Sequence, residues 1–535
     1  MSVRNGIVLL LALSALLFLA ACGGSSPNIP TPPPSGAFSD SSLSGTYVFS
    51  FSGTDAANGT FFAMAGTFAA NGSGGITSGS VDIVDPVYGV LQSQSVGSGS
   101  NYKITSDGRG SGSLVTSSAA GTIGIDFVLA SSSHGLITRF DPNGTGSGTI
   151  DLQSSSVTQS ALGSYALSLS GVDGSGNPFS SVGDFTLSSA GTITTGLEDF
   201  NDDRNSTGLT GLSLSGSVLL GTAGASGAAT LTATGSPYGT KFDFWAIDAT
   251  HLKLIETDGL QITLGDAFTE QTTISAGQMV YTMGGFDSSN SLVSEGGFMT
   301  YDGSSVISNG LEDINDSGSV AQSMTVSGTL TAVGTGTGRY QLVLGGFYNG
   351  VNGVTGSYTF AAYPSSSGIL LLETDGQGVS GGAAFLQSAT TFAAGQGYGL
   401  NLSGANGGGE VDDIAEFVAN TGGTLSKGSI DENDQGSLAF DQKLGSGGTY
   451  SFDSGGTGRG VISYPATNTT FTGALNLAFY VANSSTVLFI DGDSGQVGVG
   501  EFQTQASSAS AAIAHTASHF ASLRAASQRA SKKRK

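Results

Sequence analysis

The chain of 535 residues holds 86 Gly but one Cys and one Trp, and only 11% of it is charged against 38% hydrophobic. Asp and Glu number 40 against 17 Lys and Arg, and seven of those basic residues lie in the first 21 or the last 12 positions. A body this acidic excludes a general nucleic-acid binder and is repelled by anionic membrane surfaces, and a lone cysteine excludes a disulfide framework.

Arg4 precedes an apolar run from Ile7 to Leu19. The run is too short to cross a bilayer and small residues follow it, which predicts a signal peptide over 1–21. Leu19-Ala20-Ala21-Cys22 resembles the lipobox of bacterial lipoproteins. The resemblance implies that Cys22 is the acylated first residue of the mature chain, with the membrane as its partner through several acyl chains. Gly23, where Asp would mark inner-membrane retention, implies sorting to the outer membrane. Residues 22–42, with five prolines between Gly23 and Gly36, predict an extended tether.

From there the apolar residues alternate with small polar ones, as in YVFSFSG from Tyr47 and TLTATG from Thr230, which is strand patterning. Tyr47, Tyr165, Tyr281 and Tyr398 open similar segments at separations of 118, 116 and 117. Phe68, Phe185, Met299 and Phe417 each stand 8 residues before Ile76, Ile193, Ile307 or Leu425, and 11 before Gly79, Gly196, Gly310 or Gly428. A period this regular defines tandem domains, at 43–155, 161–272, 276–389 and 394–505. Three of them close on a Gly followed by a Gln, read as Gly148 with Gln153, Gly382 with Gln387 and Gly500 with Gln503.

The apolar runs give about eight strands per domain and no crossover helix, so the fold class is all-β and antiparallel. An up-and-down barrel needs only short turns and is favoured over a sandwich. The opening GTYVFSFSG at Gly45 resembles the first strand of lipocalin-like and avidin-like barrels, which also implies a barrel. Phe49, Phe51, Phe68 and Phe127 then fill its interior.

After Gly79, Gly196, Gly310 and Gly428 comes an acidic stretch. It reads Asp82-Ile-Val-Asp85 in the first repeat and D-x-N-D in the others: Asp199, Asn201 and Asp202; Asp313, Asn315 and Asp316; Asp431, Asn433 and Asp434. Spacing and the missing twelfth-position Glu exclude a classical calcium loop. We read a strand running to the Asp and an Asn-Asp turn after it, with a nonclassical cation site at these nine residues as the less favoured alternative.

No catalytic set assembles. Gly378-x-Ser-x-Gly382 lacks a following helix, and His134 and His251 read as polar strand or loop residues in unlike surroundings. Gly108-Arg109, Gly338-Arg339 and Gly458-Arg459 precede strands, and their arginines are expected to pair with Asp rather than bind anions or glycans. The tail, 506–535, is basic and Ala/Ser-rich with a short amphipathic pattern, and holds His515 and His519 at helical spacing. No cofactor is implied. The expectation is a non-enzymatic, lipid-anchored envelope protein acting as a structural or interaction module, with an envelope polymer or glycan as partner. The alternative is a binding protein for a small apolar ligand or glycan.

Overall fold

The computed structural model describes residues 38–506 apart from 155–156, 203–207, 223–224, 335–336, 349–354, 445–446 and 466–473. The signal peptide, Cys22, most of the tether and nearly all of the basic tail lie outside the described residues.

Alternation builds the first strand, Ser44–Asp55. Tyr47, Phe49 and Phe51 point into an apolar interior while Ser50 and Ser52 point out. The strand pairs antiparallel with the second strand, Phe61–Asn71, and with the last, Gly144–Leu152, so the meander returns to its start. The same arrangement recurs four times. The second and third sheets, from Ser164 to Thr269 and from Gly277 to Leu386, are closed barrels of eight strands. The first and fourth are barrels left open along one edge, sheets of nine strands because one strand is broken. Leu209–Leu220 is continuous in the second barrel, whereas its counterpart in the first is split into Gly89–Ser95 and Asn101–Ile104. Bridges Val96↔Thr116 and Gly75↔Asn101 tie the broken edge of the first sheet, and Thr424↔Thr449 does so in the fourth. The expected up-and-down order is therefore what forms, and among the described residues the only helices are two single 3-10 turns.

Each interior is filled by its own side chains, and Tyr47, Phe49, Phe51, Phe62, Phe68 and Phe127 are fully buried in the first. Glycine in the last strand makes room for this filling: a Cβ at Gly500 would lie 2.5 Å from the Phe489 ring. In the first two barrels the repeated tyrosine caps the filling with a polar end, Tyr47 Oη donating to Ser132 O at 2.7 Å and Tyr165 Oη to Ala249 O at 2.7 Å.

The outer faces are also covered, because each barrel packs on two others. Val48, Ala63, Ala65 and Val84 of the first meet Trp245, Ile247, Ile255 and Leu264 of the second. Ala166 and Val182 meet Ala361, Tyr363, Leu370 and Leu372 between second and third. Val280, Phe298 and Phe385 meet Tyr480, Leu488 and Ile490 between third and fourth. Ile414 of the fourth then returns to Val128 and Leu136 of the first. Phe61, Val172, Phe286, Leu292, Ala405 and Val497, drawn from all four barrels, form one further cluster. The chain is thus a closed ring of four barrels, a head-to-tail arrangement in which the rotation from one unit to the next closes.

Candidate functional site

The acidic stretch lies at the end of the third strand of each barrel, in Ile193–Asp202, Val306–Asp316 and Leu425–Asp434. The expected turn follows it. Ser317 and Gly318 have φ of 48° and 93°, Gln435 and Gly436 have 48° and 85°, and the Gly318 N–H donates to Asn315 Oδ1 at 2.9 Å. Strand alternation, however, sends the residues of one D-x-N-D to opposite faces. The first Asp and the Asn face the neighbouring barrel and the last Asp faces the barrel interior, so their oxygens do not converge on one point.

Outward, the motif docks the next barrel. Asp199 accepts from Arg339 Nε and Nη2, both at 2.8 Å, and from the Tyr363 hydroxyl. Asp313 accepts from Arg459 Nε at 2.6 Å, Arg459 Nη2 at 2.7 Å and the Tyr480 hydroxyl. Asp431 receives Arg109 Nη1 at 3.1 Å and closes the ring. Each Gly-Arg pair therefore serves the preceding barrel's Asp. The Asn beside it donates to that same neighbour's backbone: Asn201 to Glu373 O at 2.7 Å, Asn315 to Gln496 O at 2.7 Å and Asn433 to Gly144 O at 2.9 Å. The terminal glutamines do likewise. Gln153 Nε2 donates to Ala246 O at 2.9 Å, Gln387 Nε2 to Val481 O at 2.7 Å and Gln505 Nε2 to Asp107 O at 2.6 Å. The repeat partner of Gly500 is thus Gln505, five residues on as in the other repeats, and not Gln503, which is buried within the closing strand.

One seam departs from this pattern. Where the third barrel has Arg339 and Tyr363, the second has Ser226 and Trp245, as the strand registers show. Asp82 of the first barrel accepts the Ser93 N–H at 2.6 Å, but its buried Oδ2 has no hydrogen-bond partner among the described residues, and it faces Asp243. Burial, and after it the Asp243 carboxyl, push Asp82 up to about 8. Lys253, 1% exposed, crosses the seam instead, at 3.0 Å from Asp266 and 3.7 Å from Asp151. His251 bonds Asp266 at 2.7 Å and His134 bonds Asp151 at 2.8 Å. The two histidines are therefore not in unlike surroundings: each opens the equivalent strand of adjacent barrels and is buried against an Asp. Asp82→Asn keeps the acceptor for Ser93 and removes the carboxyl that ionises beside Asp243. Its melting temperature at pH 9 is expected to equal or exceed that of the unsubstituted protein; a fall there by thermal denaturation would refute the account.

Inward, a second set of acids escaped the sequence reading. Arg139, Glu256, Glu373 and Asp491 recur at intervals of 117, 117 and 118, each followed two residues later by Asp. They sit at or near the end of the next-to-last strand of each sheet, in His134–Asp141, His251–Glu256, Ile369–Glu373 and Thr486–Asp491. In the second barrel Asp202 accepts from Tyr238 Oη at 2.6 Å, and burial pushes Glu198 up to about 8 and Glu256 to about 9. In the third, burial raises Glu312 and Glu373 well above the usual carboxylate range, and Glu295 to about 8. In the fourth, Asp413, Glu432, Asp434, Asp491 and Asp493 line a recess of about 550 Å³ whose floor carboxyls, Asp413 and Asp491, are 2% and 1% exposed. Among the described residues, no basic side chain lines it. A smaller cleft of about 310 Å³ opens between the first and second barrels, lined by Phe61, Val84, Pro86, Val90, Val172 and Ile262.

Among the described residues, no group of three or more His, Cys, Asp or Glu is placed to hold a metal ion. The sequence matches no family model, and no curated relative matches it. Among solved structures, a mutant of the vaccine antigen transferrin binding protein B from Haemophilus parasuis aligns at 10% identity over 70% of this chain and 83% of its own, with a TM-score of 0.18. An intact Ap transferrin binding protein B, with N and C lobes, aligns at 11% identity over 70% and 84%, with a TM-score of 0.17. CghA with Sch210972 aligns at 10% identity over 86% and 88%, with a TM-score of 0.14.

Proposed function

We propose that this chain is an envelope lipoprotein, tethered through Cys22 to the outer membrane, whose ring of barrels is a non-catalytic structural or interaction module. The supporting observation is that each barrel interior is occupied by its own buried aromatic and aliphatic side chains, as in the first, while the outer faces are spent on docking neighbours. A rigid ring on a proline-rich tether presents turns and rims to an envelope polymer or glycan. A second reading, a carrier of a small apolar ligand, is favoured by the cleft at Phe61, Val84 and Ile262.

Cys22→Ala removes the acyl chains and is expected to move the protein from the detergent-extracted to the soluble fraction; sedimentation with membranes after that change would overturn the anchor. Glycan and lipid arrays probed with the soluble Cys22→Ala chain separate the two readings. Glycan or polymer binding supports the module, and lipid binding that Val84→Asp abolishes supports the carrier.

A further inference from the structure

The acidic recess of the fourth barrel has a built counterpart in the same chain. Phe127 pairs with Ile137 and Ile125 with Arg139 in the first barrel, as Phe479 pairs with Phe489 and Leu477 with Asp491 in the fourth. Arg139 and Asp491 therefore occupy the same place on the inner wall. In the first barrel the Arg139 guanidinium fills that place. It donates from Nε to Asp141 Oδ2 at 3.0 Å and from Nη2 to Asp141 Oδ1 at 3.2 Å, and lies 4.8 Å above the Phe62 ring. It also pulls on the buried Asp85 carboxyl, in opposition to the burial that raises it.

In the fourth barrel the same wall carries an acid. The cation is gone, the carboxylates remain, and space for it is left. Asp413 is 2% exposed, lines the recess, and has a buried Oδ1 with no hydrogen-bond partner among the described residues. A buried acceptor with no donor is costly unless something supplies one. The volume, about 550 Å³, suits a small organic molecule, and Leu438 and Leu475 offer it apolar wall.

We propose that the mouth of the fourth barrel binds a small organic cation bearing a guanidinium or primary ammonium group, which takes the place that Arg139 holds in the first barrel. Asp413 and Asp491 would receive its charged end at the floor, and Glu432, Asp434 and Asp493 would surround its stem. This goes beyond the module reading and stands or falls apart from it. These five acids are the titratable groups facing the ligand from the strands that form the recess, with Asp412 behind the wall. Burial raises Asp413 and Asp491 well above the usual carboxylate range and Glu432 to about 7. A cation must expel those protons, so binding tightens as pH rises.

The test is calorimetric titration of the Cys22→Ala full chain with agmatine, which carries both head groups, at pH 6 and pH 8. One saturable site is expected, at least threefold tighter at pH 8, weakened at least tenfold by Asp413→Asn and by Asp434→Asn, and lost in Asp491→Arg. Agmatine should raise the melting temperature of the parent and not of Asp413→Asn, which reads binding even if a variant is less stable. Absence of saturable binding at millimolar agmatine, or binding that ignores all three substitutions, would overturn the proposal. So would a site that calcium fills and agmatine does not.

Discussion

Asp313→Ala is expected to lower the free energy of unfolding by about 3–5 kcal/mol, the usual cost of removing one partner of a buried ion pair. As a turn residue Asp313 would contribute only local bonds, on the order of 1 kcal/mol. The structure places it within the strand Val306–Asp316, fully buried, where it accepts both arms of Arg459 and the Tyr480 hydroxyl. Removing it strands a guanidinium that is itself 5% exposed, although Asp453, at 2.6 Å from Nη1, retains part of the charge compensation. Arg459→Ala should cost a similar amount. The double variant should cost much less than the sum, because the second change removes the unpaired charge left by the first. Equilibrium urea denaturation of the four proteins measures this, and additive losses would show that the seam is not held by this pair.

Acidification from pH 8.5 to pH 6 is expected to raise the melting temperature by several degrees. Burial pushes Glu198 up to about 8, Glu295 to about 8, Glu256 to about 9 and Asp126 to about 9, and raises Glu312, Glu373 and Glu410 well above the usual carboxylate range. Unfolded carboxyls release their protons near pH 4. Between those limits the folded chain binds more protons than the unfolded one, so stability falls as pH rises. The stabilisation is complete near pH 4 and is lost progressively up to pH 8–9. Each such group contributes a slope of about 1.4 kcal/mol per pH unit while only its unfolded form is ionised. Scanning calorimetry across the window checks the sign. A melting temperature that is flat or climbs with pH would mean that these carboxyls are hydrated or paired with cations.

Much of the fold was legible because it rests on local rules repeated at a fixed interval. The Tyr47 strand, its counterparts, and the turns after Asn315 and Asn433 follow from alternation and Asx chemistry alone. The docking was not legible, and the reason is physical. Ser50, Ser52, Thr145 and Ser147 are small and polar, as solvent-facing strand residues are, yet all four are buried, and Asp412 of the fourth barrel accepts from Thr145 Oγ1 at 2.7 Å and Ser147 Oγ at 2.6 Å. Nothing in such a strand distinguishes a face that meets water from one that meets another barrel. The inward acids had a signal, the run from Arg139 through Glu256 and Glu373 to Asp491, but carboxylates are ordinarily assigned to the surface, and here they end the barrel interiors. Only the arginines could be placed by reasoning on charge, and even there one partner was unexpected: an Asp of the preceding barrel, in addition to chain neighbours such as Asp107 and Asp453.

Among the three seams closed by an Arg–Asp pair, the one between the last barrel and the first stands apart in time. Arg339 and Arg459 find their aspartates 140 and 146 residues away, whereas Arg109 must wait for Asp431, 322 positions later. A chain emerging from its N-terminus can complete two of these ion pairs as each barrel follows the one before, and it holds the third open until the end. Loop-closure entropy grows only with the logarithm of length, so doubling the span adds only about 0.6 kcal/mol. The last join is therefore late but barely harder than its siblings. Until it forms, Thr145, Ser147 and Arg109 stay in water, an edge that small polar side chains keep soluble.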